Sequence, residues 1–204
     1  MKKIFSKSEI KSEENFHQII KKKKVIVFVP QSHLEKVFSA MADAGAGKIG
    51  NYDQCSFRIN GTGSFRPLKN TRSFSGKKNV LSLENEIRLE MECNAENVSS
   101  IVKAMLKSHP YEETAYEIYD YVKFDKKITG KIIELNRKTK LKVILNRLNK
   151  KIISETETFE RVIKKVVITE SSFTDKIKIS AEYFDSDLVL ICRNNKYKIF
   201  NLLQ

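Results

Sequence analysis

The chain has 204 residues, with 38 Lys and Arg against 25 Asp and Glu, a formal net charge of +13 and no tryptophan. No apolar run approaches the roughly 20 residues a membrane-spanning helix needs, and only Ile4 and Phe5 follow Met1-Lys2-Lys3 before polar residues return, so no signal peptide is read and a cytoplasmic location is expected. Three cysteines, Cys55, Cys93 and Cys192, share no CxxC spacing and fit reduced thiols, not a disulfide frame.

The charge is unevenly spread. Residues 1–24 carry eight Lys against three Glu, residues 25–124 twelve basic against twelve acidic residues, and residues 125–204 eighteen against ten. That split argues for a basic N-terminal arm (1–24), a neutral central domain (25–124) and a basic C-terminal α/β unit (125–204). The arm mixes Lys, Ser and Glu around Phe16, Ile19 and Ile20 and ends in four lysines, which predicts a mobile arm or a short helix.

The central segment alternates between strand and helix patterns. Val25–Val29 is a β-branched run stopped by Pro30, the pattern of a buried strand. Ser32 and Glu35 have the spacing of a capping box, and Leu34, Val37, Phe38 and Met41 follow at helical spacing. Five of the seven glycines then fall between residues 45 and 63, which marks backbone needing positive φ or close approach. Residues 54–60 and a short strand near Ser64 read as a hairpin. Residues 84–92 alternate, with Ile87, Leu89 and Met91 on one face and Glu86, Arg88 and Glu90 on the other. Asn94 can cap a helix carrying Val98, Ile101, Val102 and Met105, which His109-Pro110 stops, and residues 114–122 form a closing strand. The order β-α-β-β-α-β is the ferredoxin-like plan.

In the last segment Leu141, Ile144, Leu145 and Leu148 predict a helix, residues 162–168 a strand, and Phe173, Ile177, Ala181 and Phe184 a second helix. Residues 188–192 form a continuous apolar strand. Strand, helix and strand in that order suggest a parallel pair joined by a crossover. Two parallel strands cannot stand alone, so the unit is expected to be reduced or to lean on other structure.

Val27-Phe28-Val29-Pro30, Gly45-Ala46-Gly47 through Tyr52, Cys55-Ser56-Phe57, Gly61-Thr62-Gly63-Ser64-Phe65-Arg66-Pro67 and His109-Pro110-Tyr111-Glu112-Glu113 together resemble the domain inserted in YqfO-type proteins of the Nif-three-like, dinuclear-metal-centre family. That domain is similar to CutA and PII signalling proteins, so the resemblance implies a ferredoxin-like fold and a trimer, or a hexamer built from it. Residues 130–198 resemble the C-terminal part of the family's metal-binding body more weakly. The family's His-His-Pro motif has no counterpart among His17, His33 and His109, and Lys198 stands where the resemblance would put a histidine. A shortened relative without the metal centre is expected, and the family's hydrolase-like activity is not carried over.

Gly45 and Gly47 with Lys48, Asn51, Tyr52, Gly61 and Gly63 are the candidate ligand-binding residues, because backbone amides freed by glycines beside a lysine suit a small anion. The same glycines equally suit a tight turn at a subunit contact. GAGKIG lacks the Walker span and the Lys-Ser/Thr pair. His109, Glu112 and Glu113 are candidate ligands for a divalent metal, or else a helix-to-strand corner. No nucleophile with a base stands out and no catalytic residue is assigned. The expected function is a non-catalytic oligomeric regulator or assembly protein, self-associating or meeting another protein. The alternatives are a metal-dependent hydrolase, or an accessory protein that binds nucleic acid through the basic flanks.

Overall fold

The computed structural model describes residues 4–148, 160–194 and 196–202 of the chain. Two compact units divide it: Lys21–Val122, called unit 2 below, and Met1–Ile20 with Lys123–Gln204, called unit 1. Two long strands, β1 (Ile10–Pro30) and β4 (Tyr116–Lys140), supply residues to both. Among the described residues no helix is long and apolar enough to cross a membrane.

In unit 2 the order is β1, α1 (Leu34–Asp43), β2 (Phe57–Phe65), β3 (Ser82–Cys93), α2 (Val98–Ser108), β4, a mixed α+β unit with the expected β-α-β-β-α-β sequence of elements. Its strands lie in the spatial order β2-β3-β1-β4, with β3 antiparallel to both β1 and β2. Val25, Val27 and Val29 on β1 and Ile87, Leu89, Met91 and Cys93 on β3 point to one face, where Leu34, Val37, Met41, Ile101 and Met105 of the helices cover them. Strict alternation along β3 is what a sheet covered on one face requires.

Two local expectations in this unit are corrected. Ser32 does not cap α1: Gln31–His33 form a 3-10 turn, the Ser32 hydroxyl lies 3.0 Å from Nδ1 of His33, and Glu35 instead receives the Arg58 guanidinium at 2.6 Å. The expected hairpin over residues 54–64 is one continuous strand, because β3 is long enough to pair it from Phe57↔Glu90 to Phe65↔Ser82.

In unit 1 the strand order is β1-β4-β5-β6-β7, with β5 (Val162–Thr169), β6 (Leu188–Arg193) and β7 (Lys196–Asn201). β5 and β6 are the expected parallel pair, joined through α4 (Asp175–Tyr183); antiparallel β4 and β7 extend them, so the pair does not stand alone. Thr174 caps α4, its hydroxyl accepting the Ile177 amide at 3.3 Å. Successive residues alternate between two cores. Val166, Ile168, Leu188 and Leu190 meet α3 (Leu141–Leu148), while Val167, Val189 and Ile191 meet Ile177 and Ala181 of α4.

The N-terminal segment is not a mobile arm. Residues 1–3 lie outside the described residues, but Phe5 joins the core against α3 and Phe16 is fully buried in the core against α4. The Ile19 amide donates to the Ser180 hydroxyl at 2.8 Å, and Arg147 reaches Glu9 at 2.7 Å. The four lysines sit within β1, where Lys23 meets Asp120 at 2.6 Å and Lys24 meets Glu90 at 2.8 Å. Carboxylates from distant strands make that charge run compatible with a paired strand.

Candidate functional site

The residues singled out in unit 2 fall at two ends of its sheet. At one end α2 stops at Ser108, since Pro110 disfavours helical backbone at His109, whose φ of −73° and ψ of 141° are extended. His109 is buried. The Tyr111 amide donates to its Nδ1 at 3.1 Å, which places the ring proton on Nε2, and Nε2 donates to the Phe28 carbonyl at 3.0 Å. Burial holds its pKa below the ordinary histidine value, with His33 adding to the effect and the Phe28 carbonyl opposing it.

His109, Glu112 and Glu113 read in the sequence as metal ligands or as a helix-to-strand corner, and the side chains of His109 and Glu112 have protein partners. Both imidazole nitrogens are engaged, and the Glu112 carboxylate accepts the Arg72 amide at 3.0 and 3.1 Å. Among the described residues no group of three or more His, Cys, Asp or Glu is gathered to hold an ion. The segment is a corner that anchors the chain between β2 and β3.

The corner also builds an aromatic cluster. Tyr111 lies edge-on to His109 at 4.9 Å between ring centroids, 5.8 Å from Phe74 and 6.5 Å from Phe65; His33 meets Phe74 at 5.2 Å. Phe65, Thr71, Phe74, Tyr111, Glu112 and Glu113 line a cavity of about 220 Å³. Phe65 and Tyr111 belong to the motifs quoted above. Phe74 was missed, because nothing in a loop sequence shows that it folds back onto a corner 37 positions away (111 − 74). Burial, with Glu86 and Glu84 nearby, pushes the Tyr111 hydroxyl well above the ordinary phenol value.

Gly61 and Gly63 stand mid-strand on the edge strand β2, opposite Glu86 and Glu84. A side chain at Gly63 would run into the Glu86 carboxylate. Asn60–Thr62 and Asn85–Ile87 line a shallow hollow of about 380 Å³.

The glycine loop occupies the other end. Gly45 closes α1 with φ of 104°, its amide donating to the Ala42 carbonyl at 2.9 Å and that of Ala46 to Met41 at 3.0 Å, a Schellman cap. Gly47, at φ 76°, passes so close to the next segment that a Cβ would lie 2.7 Å from the Cys55 carbonyl oxygen. Its amide donates to Glu92 at 2.8 Å, and Ile49 and Tyr52 bond each other. The amides of Gly45, Gly47 and Tyr52 are therefore spent on carbonyls of α1, β3 and the loop. Lys48, Asn51 and Tyr52 project into solvent. Phe28 pairs Arg88 and Lys24 pairs Glu92, four residues along β1, so the two ends stand about 13 Å apart at 3.3 Å per residue. The structure does not bring Lys48 and His109 together.

No family model matches the chain. It is 45% identical over 96 residues to a protein of Halalkalibacterium halodurans named GTP cyclohydrolase 1 type 2 homolog, a match covering 47% of this chain and 26% of that relative. A Bacillus subtilis protein of the same name is 45% identical over 97 residues, covering 48% and 26%. One from Staphylococcus epidermidis is 29% identical over 156 residues, covering 73% and 42%. The chain thus spans about a quarter to two fifths of the curated relatives it matches. Among solved structures, a Bacillus cereus protein related to NIF3 aligns over 94% of this chain and 55% of its own, with 26% identity and a TM-score of 0.47. CutA of Archaeoglobus fulgidus aligns over 48% and 81%, with 9% identity and a TM-score of 0.35. Over about half of its length the chain is thus similar in sequence to curated proteins named GTP cyclohydrolase 1 type 2 homolog, of the YqfO/NIF3 family.

Proposed function

We propose that unit 2 is a self-association module, most simply a trimer, through which the chain serves a regulatory or assembly role. The observation that carries this reading is the face of its sheet opposite the helices. Phe57 and Ile59 lie there on the edge strand, 62% and 43% exposed. Beside them runs a two-signed ladder in which Lys24 meets Glu90 at 2.8 Å, Arg88 meets Glu90 at 2.9 Å and Arg88 meets Glu117 at 3.5 Å. A face with apolar anchors and both signs of charge can meet copies of itself without a net repulsion, and β2 has a free edge for pairing. Lys48, Asn51 and Tyr52 are the exposed groups that a small anion at a subunit cleft would meet.

Native mass spectrometry of the full chain tests this. A trimer or hexamer that dissociates on Phe57→Glu with Ile59→Glu is expected. A wild-type monomer at micromolar concentration, or a double variant that keeps its oligomer, would overturn the reading.

A further inference from the structure

Unit 1 has a cavity of its own, built without the residues of the proposed self-association face. At the carboxyl ends of the parallel strands β5 and β6 is a cavity of about 440 Å³ whose lining, among the described residues, includes Phe173, Arg193, Lys196, Lys198 and Phe200, and no carboxylate. Ligands in open α/β sheets characteristically settle in crevices at such strand ends.

Strand register explains how the cations converge. Tyr197 and Ile199 turn into the core against α3, so Lys196, Lys198 and Phe200 share the opposite face of β7. Arg193 on β6 pairs directly with Lys196, and Ile191 with Lys198. Like charges directly opposite one another on a sheet cost stability. Several other basic side chains of unit 1 have acidic partners: Lys11 meets Glu134 at 2.8 Å, Lys131 meets Glu13 at 3.3 Å and Arg147 meets Glu9 at 2.7 Å. Among the described residues none of Arg193, Lys196 and Lys198 has such a partner. The Arg193 Nε donates to the Glu170 carbonyl at 2.6 Å, which holds the guanidinium at the cavity and leaves its remaining donors free. Phe173 and Phe200 stack in parallel at 3.7 Å and form one wall.

We propose that this cavity binds a small polyanion carrying a planar ring, the chemistry of a nucleotide. Arg193, Lys196 and Lys198 hold its phosphates and relieve their mutual repulsion, and the ring lies against the Phe173–Phe200 pair.

Calorimetric titration of the full chain with a purine nucleoside triphosphate, and separately with inorganic pyrophosphate, tests the proposal. Saturable nucleotide binding is expected, weakened about tenfold or more by Lys196→Gln with Lys198→Gln. Phe173→Leu should weaken the nucleotide several-fold and leave pyrophosphate unchanged. Without ligand the double lysine variant should melt at or above the wild-type temperature, since it removes like charges, which also shows that it folds. Absence of saturable binding would overturn the proposal, as would an equal loss in the control Lys126→Gln with Lys127→Gln. Pyrophosphate binding as tightly as the nucleotide would remove the ring from it. Displacement of the nucleotide by a short oligothymidylate at equal phosphate concentration would overturn the small-ligand assignment in favour of single-stranded nucleic acid.

Discussion

The two units bury their sheets differently. In unit 1 alternate residues of β5 and β6 enter two cores, one under α3 and one under α4. In unit 2 the core lies on one face only, and most of the described large apolar side chains that stay exposed belong to this unit, with Phe57 and Ile59 on the uncovered face among them. Both patterns are written in the strands. Leu188–Ile191 is apolar at every position, whereas Ile87, Leu89 and Met91 alternate with Arg88 and Glu90. A strand wet on one side can present that side to a copy of itself; a strand buried on both sides must place its ligand chemistry at an end. The free face of unit 2 and the strand-end cavity of unit 1 are consequences of that one difference.

Several measurements would break or sharpen this contrast. The largest effect is expected from Leu89→Ala, which empties a fully buried position of the single core of unit 2. It should cost about 3 kcal/mol in urea unfolding; a loss under about 1 kcal/mol would mean that the face under α1 and α2 is not the core. Gly47→Ala should cost about 2 kcal/mol, from left-handed backbone and the nearby Cys55 carbonyl. An unchanged midpoint would show that the loop relaxes freely.

Acid should separate the units by hydrogen exchange. The folded chain holds His109 neutral, so the unfolded state binds more protons as the pH falls below the ordinary histidine value of 6.5, and unit 2 loses stability from there downward. In unit 1 the Arg147 guanidinium, with the Ser6 amide and hydroxyl, holds Glu9 down at about 2. Its contribution is present above 4.5 and disappears as the pH falls toward 2; solvent screening at this partly exposed pair keeps it small. Amides of β3 should therefore lose protection at a higher pH than those of β6, and the reverse order would contradict the neutral, doubly bonded His109. The smallest effect belongs to Glu35→Gln. Its exposed pair with Arg58 should be worth about 0.5 kcal/mol or less by thermal melting, and a larger loss would mark that pair as part of a network.

Local pattern alone determined much of this protein. Period-two alternation identified β3, helical spacing identified α1, α2, α3 and α4, the continuous apolar run identified β6, and Pro110 ended α2 where expected. The glycine cluster correctly marked positive φ at Gly45 and Gly47, since only backbone geometry is needed to read it. What the sequence left open depends on partners far along the chain. Residues 21–24 read as a charged arm because Asp120 and Glu90 are invisible to a local window, and only pairing makes them part of β1. His109 read either as a metal ligand or as a corner residue, because its ring's partners, the Phe28 carbonyl and the Tyr111 amide, are not displayed by sequence spacing. The convergence of Arg193, Lys196 and Lys198 follows from cross-strand register. Periodicity is a property of neighbours in sequence, while charge pairing and cavity lining belong to neighbours in space, and only the tertiary structure decides those.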